Sequence, residues 1–362
     1  MERIDKALVV ISIILISFGL LILYSASAPF SQTNFGHSFY FLSRQIFLGI
    51  LPGILIGIII FKIDLLNLRK ISPLLLLLNL ILLVLVFIPP FGIKSGGGAR
   101  WINLAHLSFQ PSELLKFTFI LYLSSWLASR VRKEDRSFRK TFSFFLLIIF
   151  FISIFLILQP DFSTLGIIFV ISISLFFLAK TPIWQTLLII LMGTLLFLPL
   201  AQMAPYRMKR ILSFLNPEFD PLGISYHIKQ AEIAIGSGGI FGKGLGMSSQ
   251  KFGLLPHAFS DSIFAVLAEE LGFLGTFVFI FIYLLFFWRV YKIGISQGNL
   301  FSKLVCFGIL SWISSQTFVN ISSMIGILPL TGIPLPFVSY GGSHTLTEII
   351  SLFTLFKLSK QK

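Results

Sequence analysis

Asp261 is a carboxylate at the junction between a long polar segment and a long apolar one. The basic, polar segment covers about residues 204–260, and an apolar run, Ile263 to Trp288, begins just after Asp261. Acidic groups beside hydrocarbon are costly and are retained mainly where they are functional. A carboxylate at such a boundary predicts a general base that acts on a substrate presented at the membrane surface. The alternative interpretation is a helix cap, a common role for Asp.

Cations in the same polar segment predict a site for an anionic substrate. Arg207, Lys209 and Arg210 stand close together, and Lys243 follows in a Gly-rich stretch. Arg suits phosphate because its planar fork donates paired hydrogen bonds. Binding to lipid head groups explains the same charges, so both interpretations remain open here. Between these cations, residues 225–235 predict a short amphipathic helix at the membrane interface.

The Gly-rich stretch runs from Gly236 to Gly246. It is not a P-loop, because Gly244 follows Lys243 where Ser or Thr is required, and no strand–helix unit surrounds it. Two interpretations remain: a flexible loop, or backbone that approaches phosphate closely and offers it N–H groups.

Charged residues also occur inside predicted membrane spans. Glu113 and Lys116 are three residues apart, which places them on one helical face and predicts an ion pair. A structural pair and a substrate-linked pair are both compatible with this spacing. Ser112 and Lys116 are four residues apart, whereas the Ser-x-x-Lys nucleophile motif requires three, so acyl transfer is not supported.

Asp161, in the tight turn Gln159-Pro160-Asp161, is predicted to cap a helix.

The composition is that of an all-α polytopic membrane protein. Hydrophobic residues make up 56% of the 362 residues and charged residues only 12%, against about 25% charged in soluble domains. The single cysteine, Cys306, excludes an internal disulfide. About ten runs are long enough to span a bilayer. They cover approximately residues 7–27, 40–61, 72–90, 111–129, 141–158, 162–179, 183–203, 262–288, 304–327 and 336–356.

The distribution of Lys and Arg predicts the orientation. Eighteen of the 28 fall in one set of short connections and at the two termini, which the positive-inside rule places in the cytoplasm. This rule also explains the net charge of +14 better than nucleic-acid binding does. The predicted architecture is one membrane domain, residues 1–362, with cytoplasmic termini. One long extracytoplasmic loop, about residues 204–261, precedes the eighth span.

Several motifs together resemble the SEDS family (shape, elongation, division and sporulation), to which RodA, FtsW and SpoVE belong. The matching stretches are Gly98-Ala99-Arg100-Trp101-Ile102, Gln110-Pro111-Ser112-Glu113 with Lys116, Gln159-Pro160-Asp161-Phe162, Gly236-Ser237-Gly238-Gly239, Gly242-Lys243-Gly244-Leu245-Gly246, Ala268-Glu269-Glu270-Leu271-Gly272 and Pro334-Leu335-Pro336-Phe337-Val338-Ser339-Tyr340-Gly341-Gly342-Ser343. The stretch at residues 210–217 is more similar to FtsW or SpoVE than to RodA. The chain departs from the family at Phe259-Ser260-Asp261-Ser262, where His-Thr-Asp-Phe is usual, and at His344, where Ser is usual.

The resemblance implies a peptidoglycan glycosyltransferase that polymerises lipid II during cell division or cell-wall growth in the bacterial cytoplasmic membrane. The family's catalytic Asp corresponds to Asp261, and a single-pass class B penicillin-binding protein carrying the transpeptidase is the implied partner. We predict substrate contacts from Arg210, Arg207, Lys243, Arg100 and Ser343. We predict no protein-held metal, although a divalent cation on the substrate pyrophosphate is compatible with the chemistry. The other expected contacts are membrane lipids and the glycan linked to undecaprenyl pyrophosphate.

The residues favour transfer over two rival functions. Pyrophosphate is a good leaving group, so one base and nearby cations can suffice, whereas a glycosidase normally needs two carboxylates. A lipid II flippase would place polar groups near the bilayer midplane, which Glu113, Lys116, Glu269 and Glu270 partly satisfy. A scaffold that only positions the transpeptidase would leave the basic loop and Asp261 unexplained.

Overall fold

The computed structural model describes residues 4–95, 98–104, 107–132, 138–202, 205–216, 218–221 and 223–360. Its helices, in chain order, are α1 (Lys6–Phe35), α2 (Tyr40–Lys62, with a π-helical turn at Ile46–Ile50), α3 (Leu65–Leu85), α4 (Pro111–Arg132), α5 (Phe138–Leu158), α6 (Phe162–Leu178), α7 (Ile183–Gln202), α8 (Pro205–Leu215), α9 (Ile224–Ser237), α10 (Ile263–Ile295), α11 (Leu300–Met324) and α12 (Gly342–Lys360). Three short strands, β1 (Gly92–Ser95), β2 (Gly98–Leu104) and β3 (Leu107–Phe109), lie between α3 and α4.

Ten of these helices coincide with the ten predicted spans. By length and composition alone, α1, α2, α3, α10 and α11 are long and apolar enough to cross a membrane, and α5, α6 and α7 contain shorter apolar helices. The remaining two, α4 and α12, carry buried charged residues that face other helices rather than lipid. The multi-pass membrane architecture is therefore confirmed. The largest boundary shift is at α1, which continues to Phe35 instead of ending near residue 27. Helix α12 begins at Gly342 because the preceding residues are not helical.

A small antiparallel sheet is an addition to the predicted all-α fold. Strand β2 lies in the middle, with Trp101 opposite Ile93 on β1 and Ile102 opposite Phe109 on β3. The sequence indicated only a connection between spans here, because the strands are short and interrupted by glycines. Strand β2 of this sheet carries Arg100 and holds it beside the turn at residues 159–160.

The predicted tight turn between α5 and α6 is present. Asp161 is the N-cap of α6 and accepts a hydrogen bond from the Thr164 amide at 3.2 Å. Its carboxylate also accepts from the hydroxyls of Ser112, at 2.7 Å, and Thr164, at 2.8 Å. The prediction of a cap is therefore confirmed, and the same carboxylate ties α4 to α6.

Residues 325–341 form an irregular segment between α11 and α12, which we call the re-entrant segment. Its carbonyls accept hydrogen bonds from α11, because Gln316 donates to Pro334 at 3.0 Å and Asn320 donates to Ile333 at 2.7 Å. Non-helical backbone at membrane depth is tolerated only where protein groups satisfy it. These contacts pair the carbonyls of this Pro- and Gly-rich stretch with side chains of α11.

The Gly-rich stretch at residues 236–246 is a clasp around a break in α10. At Gly272 the backbone leaves helical geometry, with φ 66° and ψ −168°. The amides of Lys243 and Gly244 donate to the carbonyls of Glu269, at 3.0 Å, and Glu270, at 2.9 Å. In return, the Phe273 amide donates to Gly239 at 2.8 Å. The clasp therefore satisfies backbone groups that the break in the helix would otherwise leave unpaired.

A buried ionic cluster joins α4, α11 and α12. The predicted Glu113–Lys116 pair forms, with Nζ to Oε2 at 2.7 Å, and Lys116 also donates to Gln316 at 3.0 Å. His344 lies between two carboxylates, 3.4 Å from Glu113 and 3.2 Å from Glu348. All four charged or titratable members are buried. The sequence predicted the pair but not its extension, because His344 and Glu348 lie more than 220 residues away along the chain.

Substituting Gly272 should destabilise the protein. A Cβ at this residue would lie 2.2 Å from the Gly242 nitrogen, and side-chain-bearing residues avoid this backbone region. We expect Gly272→Ala to cost on the order of 1–3 kcal/mol and to lower the midpoint of thermal unfolding in detergent. Gly166→Ala is the matched control, because Gly166 lies in α6 with open space around its Cα. Equal midpoints for the two variants would contradict the assigned role of the clasp.

Removing one member of the ionic cluster should also lower stability. Lys116→Met leaves the buried Glu113 carboxylate without its closest cation, and breaking such pairs costs about 3–5 kcal/mol in soluble proteins. Adding Glu113→Gln should recover only part of this loss, because His344 also faces Glu113. Thermal unfolding of the single and double variants measures both effects. An unchanged midpoint for Lys116→Met would exclude a structural role and favour a substrate-linked one.

Candidate functional site

The turn that carries Asp261 is held through its backbone. The carbonyl of Phe259 accepts from the Tyr340 amide at 3.0 Å, and the carbonyl of Ser260 accepts from the Ser339 hydroxyl at 2.6 Å. The Asp261 carbonyl accepts from Asn320 at 2.8 Å. Three successive carbonyls are thus bound by the re-entrant segment and α11. This arrangement fixes the Asp261 backbone and makes no use of its side chain.

The Asp261 carboxylate is not a helix cap. Helix α10 begins at Ile263, its N-cap is Ser262, and no side chain caps it. The interpretation of Asp261 as a cap is therefore wrong, because the helix begins one residue too late for it. Among the described residues, no donor lies within hydrogen-bonding distance of the Asp261 carboxylate, and none forms an ion pair with it. The side chain is partly exposed, so a substrate hydroxyl can approach it.

Arg210 and Asp261 converge on Gly332. A Cβ built on Gly332 would lie 3.5 Å from the Asp261 carboxylate and 3.7 Å from the Arg210 guanidinium. Arg210 donates to the Thr331 carbonyl at 2.9 Å, which anchors it while leaving other N–H groups for a ligand. Burial lowers the pKa of the Arg210 guanidinium, Asp261 and Tyr206 raise it, and Arg100 lowers it further. The predicted base and the first-ranked cation are therefore neighbours.

Arg100 and Arg207 lie on the same side of the site, around the turn between α5 and α6. Arg100 donates to the carbonyls of Gln159, at 3.0 Å, and Pro160, at 2.6 Å. Tyr206 donates to the same Pro160 carbonyl at 3.1 Å, and Arg207 donates to the Tyr206 hydroxyl at 3.1 Å. The Arg207 guanidinium also lies 3.0 Å from the centre of the Phe162 ring. We call Arg100, Arg207 and Arg210 the arginine cluster.

His227 supports the Asp261 turn from α9. Its Nε2 lies 2.6 Å from the Ser262 hydroxyl, which in turn donates to the Pro256 carbonyl at 2.9 Å. Because a hydroxyl has one proton, His227 is the donor in the first contact. Burial is the largest cause that lowers the pKa of His227 from 6.5 to about 4; His257 and Arg210 add to the lowering, and Asp261 opposes it. The imidazole is therefore neutral at pH 7.

Two predicted substrate contacts are engaged elsewhere. Lys243 forms an ion pair with Glu269 at 2.6 Å, and the Gly-rich amides beside it are bonded to α10. The amides of Lys243 and Gly244 are therefore used by the clasp, and binding of a phosphate by this stretch stays a prediction. Ser343 is buried, and its hydroxyl accepts from the Gln110 amide at 2.9 Å. Both residues have structural partners, and their contact with the substrate stays a prediction.

Sequence reasoning missed Asn320, Ser339, His227 and Gly332 as members of the site. Ser339 lies in the family motif that ends at Ser343, which was a usable signal. Asn320, His227 and Gly332 gave none, because each reaches the Asp261 turn from a distant part of the chain.

Within the described residues, no three His, Cys, Asp or Glu side chains come together as metal ligands. The prediction of a cation on the substrate pyrophosphate stays a prediction. Residue 204, where the predicted outer loop begins, lies outside the described residues.

Comparisons with known proteins agree on one family. Residues 5–362 match the model for the cell cycle proteins FtsW, RodA and SpoVE. Stage V sporulation protein E of Bacillus subtilis is 39% identical, over 98% of this chain and 97% of that protein. The probable peptidoglycan glycosyltransferase FtsW of Buchnera aphidicola is 37% identical, over 98% of this chain and 88% of that protein.

Solved structures share the fold along almost the whole chain. A chain from a peptidoglycan synthase complex that coordinates polymerization and crosslinking superposes with a TM-score of 0.78 and 25% identity, covering 99% of this chain and 98% of that one. The rod shape determining protein RodA of Thermus thermophilus superposes with a TM-score of 0.73 and 24% identity, covering 98% of this chain and 96% of that one. The family model and the relatives together show that this chain belongs to the FtsW, RodA and SpoVE family.

Proposed function

We propose that this protein is a peptidoglycan glycosyltransferase that polymerises lipid II. The observation that carries the proposal is the Asp261 carboxylate, which has no hydrogen-bond donor among the described residues and lies beside the arginine cluster. The relatives named as probable peptidoglycan glycosyltransferases support it. A reaction that needs a nucleophilic cysteine is excluded, because Cys306, the one cysteine of the chain, is buried between helices.

The chemistry follows from the geometry. Asp261 takes the proton of the acceptor sugar hydroxyl, and the oxygen attacks the anomeric carbon of the donor. A new C–O bond forms while the bond from that carbon to the pyrophosphate oxygen breaks. The pyrophosphate leaves with the electron pair, and we assign Arg210, with Arg100 and Arg207, to stabilise its charge. No general acid is required, because the leaving group is already a weak base.

The alternative function, a lipid II flippase, finds less support. A transporter needs polar groups near the midplane that can meet a substrate. Here Lys116 is paired with Glu113, Lys243 with Glu269 and Lys251 with Glu270. These lysine and glutamate side chains therefore form ion pairs with one another inside the protein. Among the described residues, the Asp261 carboxylate, in the turn before α10, has no hydrogen-bond donor and no ion-pair partner.

The cellular setting is part of the proposal. We place both termini in the cytoplasm and the Asp261 turn outside, in the cytoplasmic membrane of a bacterium, with residues 1–362 as one domain. The bias of Lys and Arg supports this orientation. A class B penicillin-binding protein is the proposed partner, in line with the synthase complex that shares this fold. Lipid II and its glycan are the proposed substrates.

Asp261→Asn tests the base directly. Asn keeps the size of the side chain and leaves all three backbone contacts of the turn in place. We expect polymerisation of labelled lipid II by the purified protein, alone and with its partner, to fall by about 100- to 10,000-fold, while the thermal midpoint is unchanged. Near-normal polymerisation by this variant would refute the assignment of Asp261.

Arg210 tests the pyrophosphate site. Arg210→Ala should weaken the apparent affinity for lipid II by about 10- to 100-fold, and Arg210→Lys should lose part of it, because Lys lacks the fork. Lys209→Ala is the matched control: it removes an exposed charge from the same helix and should change affinity by less than about twofold. Equal, mild effects of Arg210→Ala and Lys209→Ala that grow with anionic lipid content would favour head-group binding instead.

A further inference from the structure

An aromatic surface lies beside the Asp261 turn and takes no part in the proposed chemistry. Residues 30–44, at the outer end of α1 and the start of α2, contain five aromatic side chains together with amides, hydroxyls and a histidine. They contain no acidic residue and one basic residue, Arg44, which donates to the Tyr40 hydroxyl at 2.8 Å. This combination of ring faces and mainly neutral hydrogen-bonding groups distinguishes the surface from the basic loop.

The rings are ordered by stacking and several are exposed. Phe35 stacks on Tyr40 with centroids 3.6 Å apart and planes 7° apart, and Phe39 stacks on Tyr24 at 4.9 Å. Phe35 is 43% exposed and Phe39 is 57% exposed. Rings held in place in this way can accept a ligand without a further loss of side-chain freedom.

The polar side chains between the rings are also fixed. Asn34 donates to the Phe30 carbonyl at 2.9 Å, and Gln32 donates to the Gly36 carbonyl at 3.3 Å. These bonds use amide N–H groups and leave the amide oxygens to accept hydrogen bonds. His37 lies beside Tyr40, with ring centroids 5.8 Å apart.

The surface is continuous with the catalytic turn. Phe259, two residues before Asp261, packs against Phe41 at 4.5 Å and Phe30 at 5.4 Å. Phe41 also meets Tyr340, whose amide holds the Phe259 carbonyl. A polymer that passes through the Asp261 site therefore has this surface as an adjacent path.

We propose that Phe35, Phe39 and Tyr40, with Gln32, Asn34 and His37, form a glycan shelf that binds the sugar strand next to the Asp261 site. The positively polarised C–H groups on one face of a pyranose ring suit the negative face of an aromatic ring. The neutral amide oxygens suit hydroxyl and N-acetyl N–H donors. This inference rests on the proposed function, because it assigns the shelf to the strand that this site elongates.

The shelf extends outward from the membrane boundary. Phe39 stacks on Tyr24, near the end of the first apolar run, whereas α1 continues to Phe35, about 12 Å beyond the end of that run at Ser27. Arg44, the one cation of the surface, is engaged with Tyr40 and donates to its hydroxyl at 2.8 Å. The exposed rings are mainly Phe set among amides, whereas the membrane interface enriches Trp and Tyr.

The test asks whether residue 39 needs an aromatic ring or only an apolar side chain for the glycan strands to reach their original length. Phe39→Leu keeps an apolar side chain and removes the ring face, whereas Phe39→Trp keeps a ring. We expect Phe39→Leu to shorten the glycan strands made from labelled lipid II by about two- to tenfold, and Phe39→Trp to retain the original length. Phe35→Leu should repeat the effect. Phe241→Leu is the control, because Phe241 is 81% exposed on the clasp, away from these stacked rings.

Binding without turnover gives an independent readout. The Asp261→Asn protein should bind a β-1,4-linked N-acetylglucosamine tetramer in detergent, detected by ligand-observed NMR. Adding Phe39→Leu should weaken that signal at least about twofold, with the thermal midpoint unchanged. If Phe39→Leu lowers the midpoint, Phe35→Leu replaces it.

The outcomes separate the two proposals. If the unsubstituted protein makes no polymer with its partner, the proposed function fails. If it polymerises but Phe39→Leu and Phe35→Leu give strands of unchanged length, the glycan shelf is overturned. Equal behaviour of Phe39→Leu and Phe39→Trp would also overturn it, since it would indicate simple apolar contact with lipid or a partner protein.

Discussion

The site depends on one constraint: backbone that is not helical must find hydrogen-bond partners when it lies beside hydrocarbon. The turn before α10 meets this constraint through Tyr340, Ser339 and Asn320, which bind its three carbonyls in succession. The re-entrant segment is not helical either. Its backbone and side-chain hydrogen-bonding groups pair with that turn and with α11. Asp261 is thus positioned by main-chain bonds that a substitution of its side chain leaves intact.

The backbone contacts set the position of Asp261, and they leave the oxygens of its carboxylate free to react. A carboxylate that capped α10 would lose much of its ability to accept a proton, since the helix amides would occupy its oxygens. Here Ser262 takes the cap position, and the Asp261 oxygens stay open toward Gly332 and Arg210. Gly332 has φ 71°, and its lack of a side chain keeps that space free. Functional sites typically contain a locally unfavourable conformation, here a helix start without a side-chain cap, that contacts elsewhere compensate.

Local patterns in the sequence predicted the features that depend on nearby residues. Hydropathy located the spans, the i,i+3 spacing located the Glu113–Lys116 pair, and the Gln159-Pro160-Asp161 turn located the cap of α6.

Features that depend on contacts between distant parts of the chain were not predicted. The clasp around Gly272 could not be anticipated, because the glycines of residues 236–246 suit a phosphate loop equally well until their partner is known. The sheet was missed because its strands are too short to show alternation. The ion pair of Lys243 with Glu269 was not predicted either, because the two residues are 26 positions apart.

The residues around Asp261 that depart from the family pattern have a coherent physical explanation. Ser262, one of the residues that differ from the family-like motif, contributes a hydroxyl that forms hydrogen bonds. The Ser262 hydroxyl donates to Pro256 and accepts from His227, which connects α9 to the turn. This chain of bonds requires the proton of a neutral His227 to be on Nε2, and burial favours that neutral form by lowering the pKa of His227 to about 4. A protonated His227 would add a positive charge beside Arg210. The neutral imidazole therefore supports the turn while leaving the charge balance between Asp261 and the arginine cluster unchanged near pH 7.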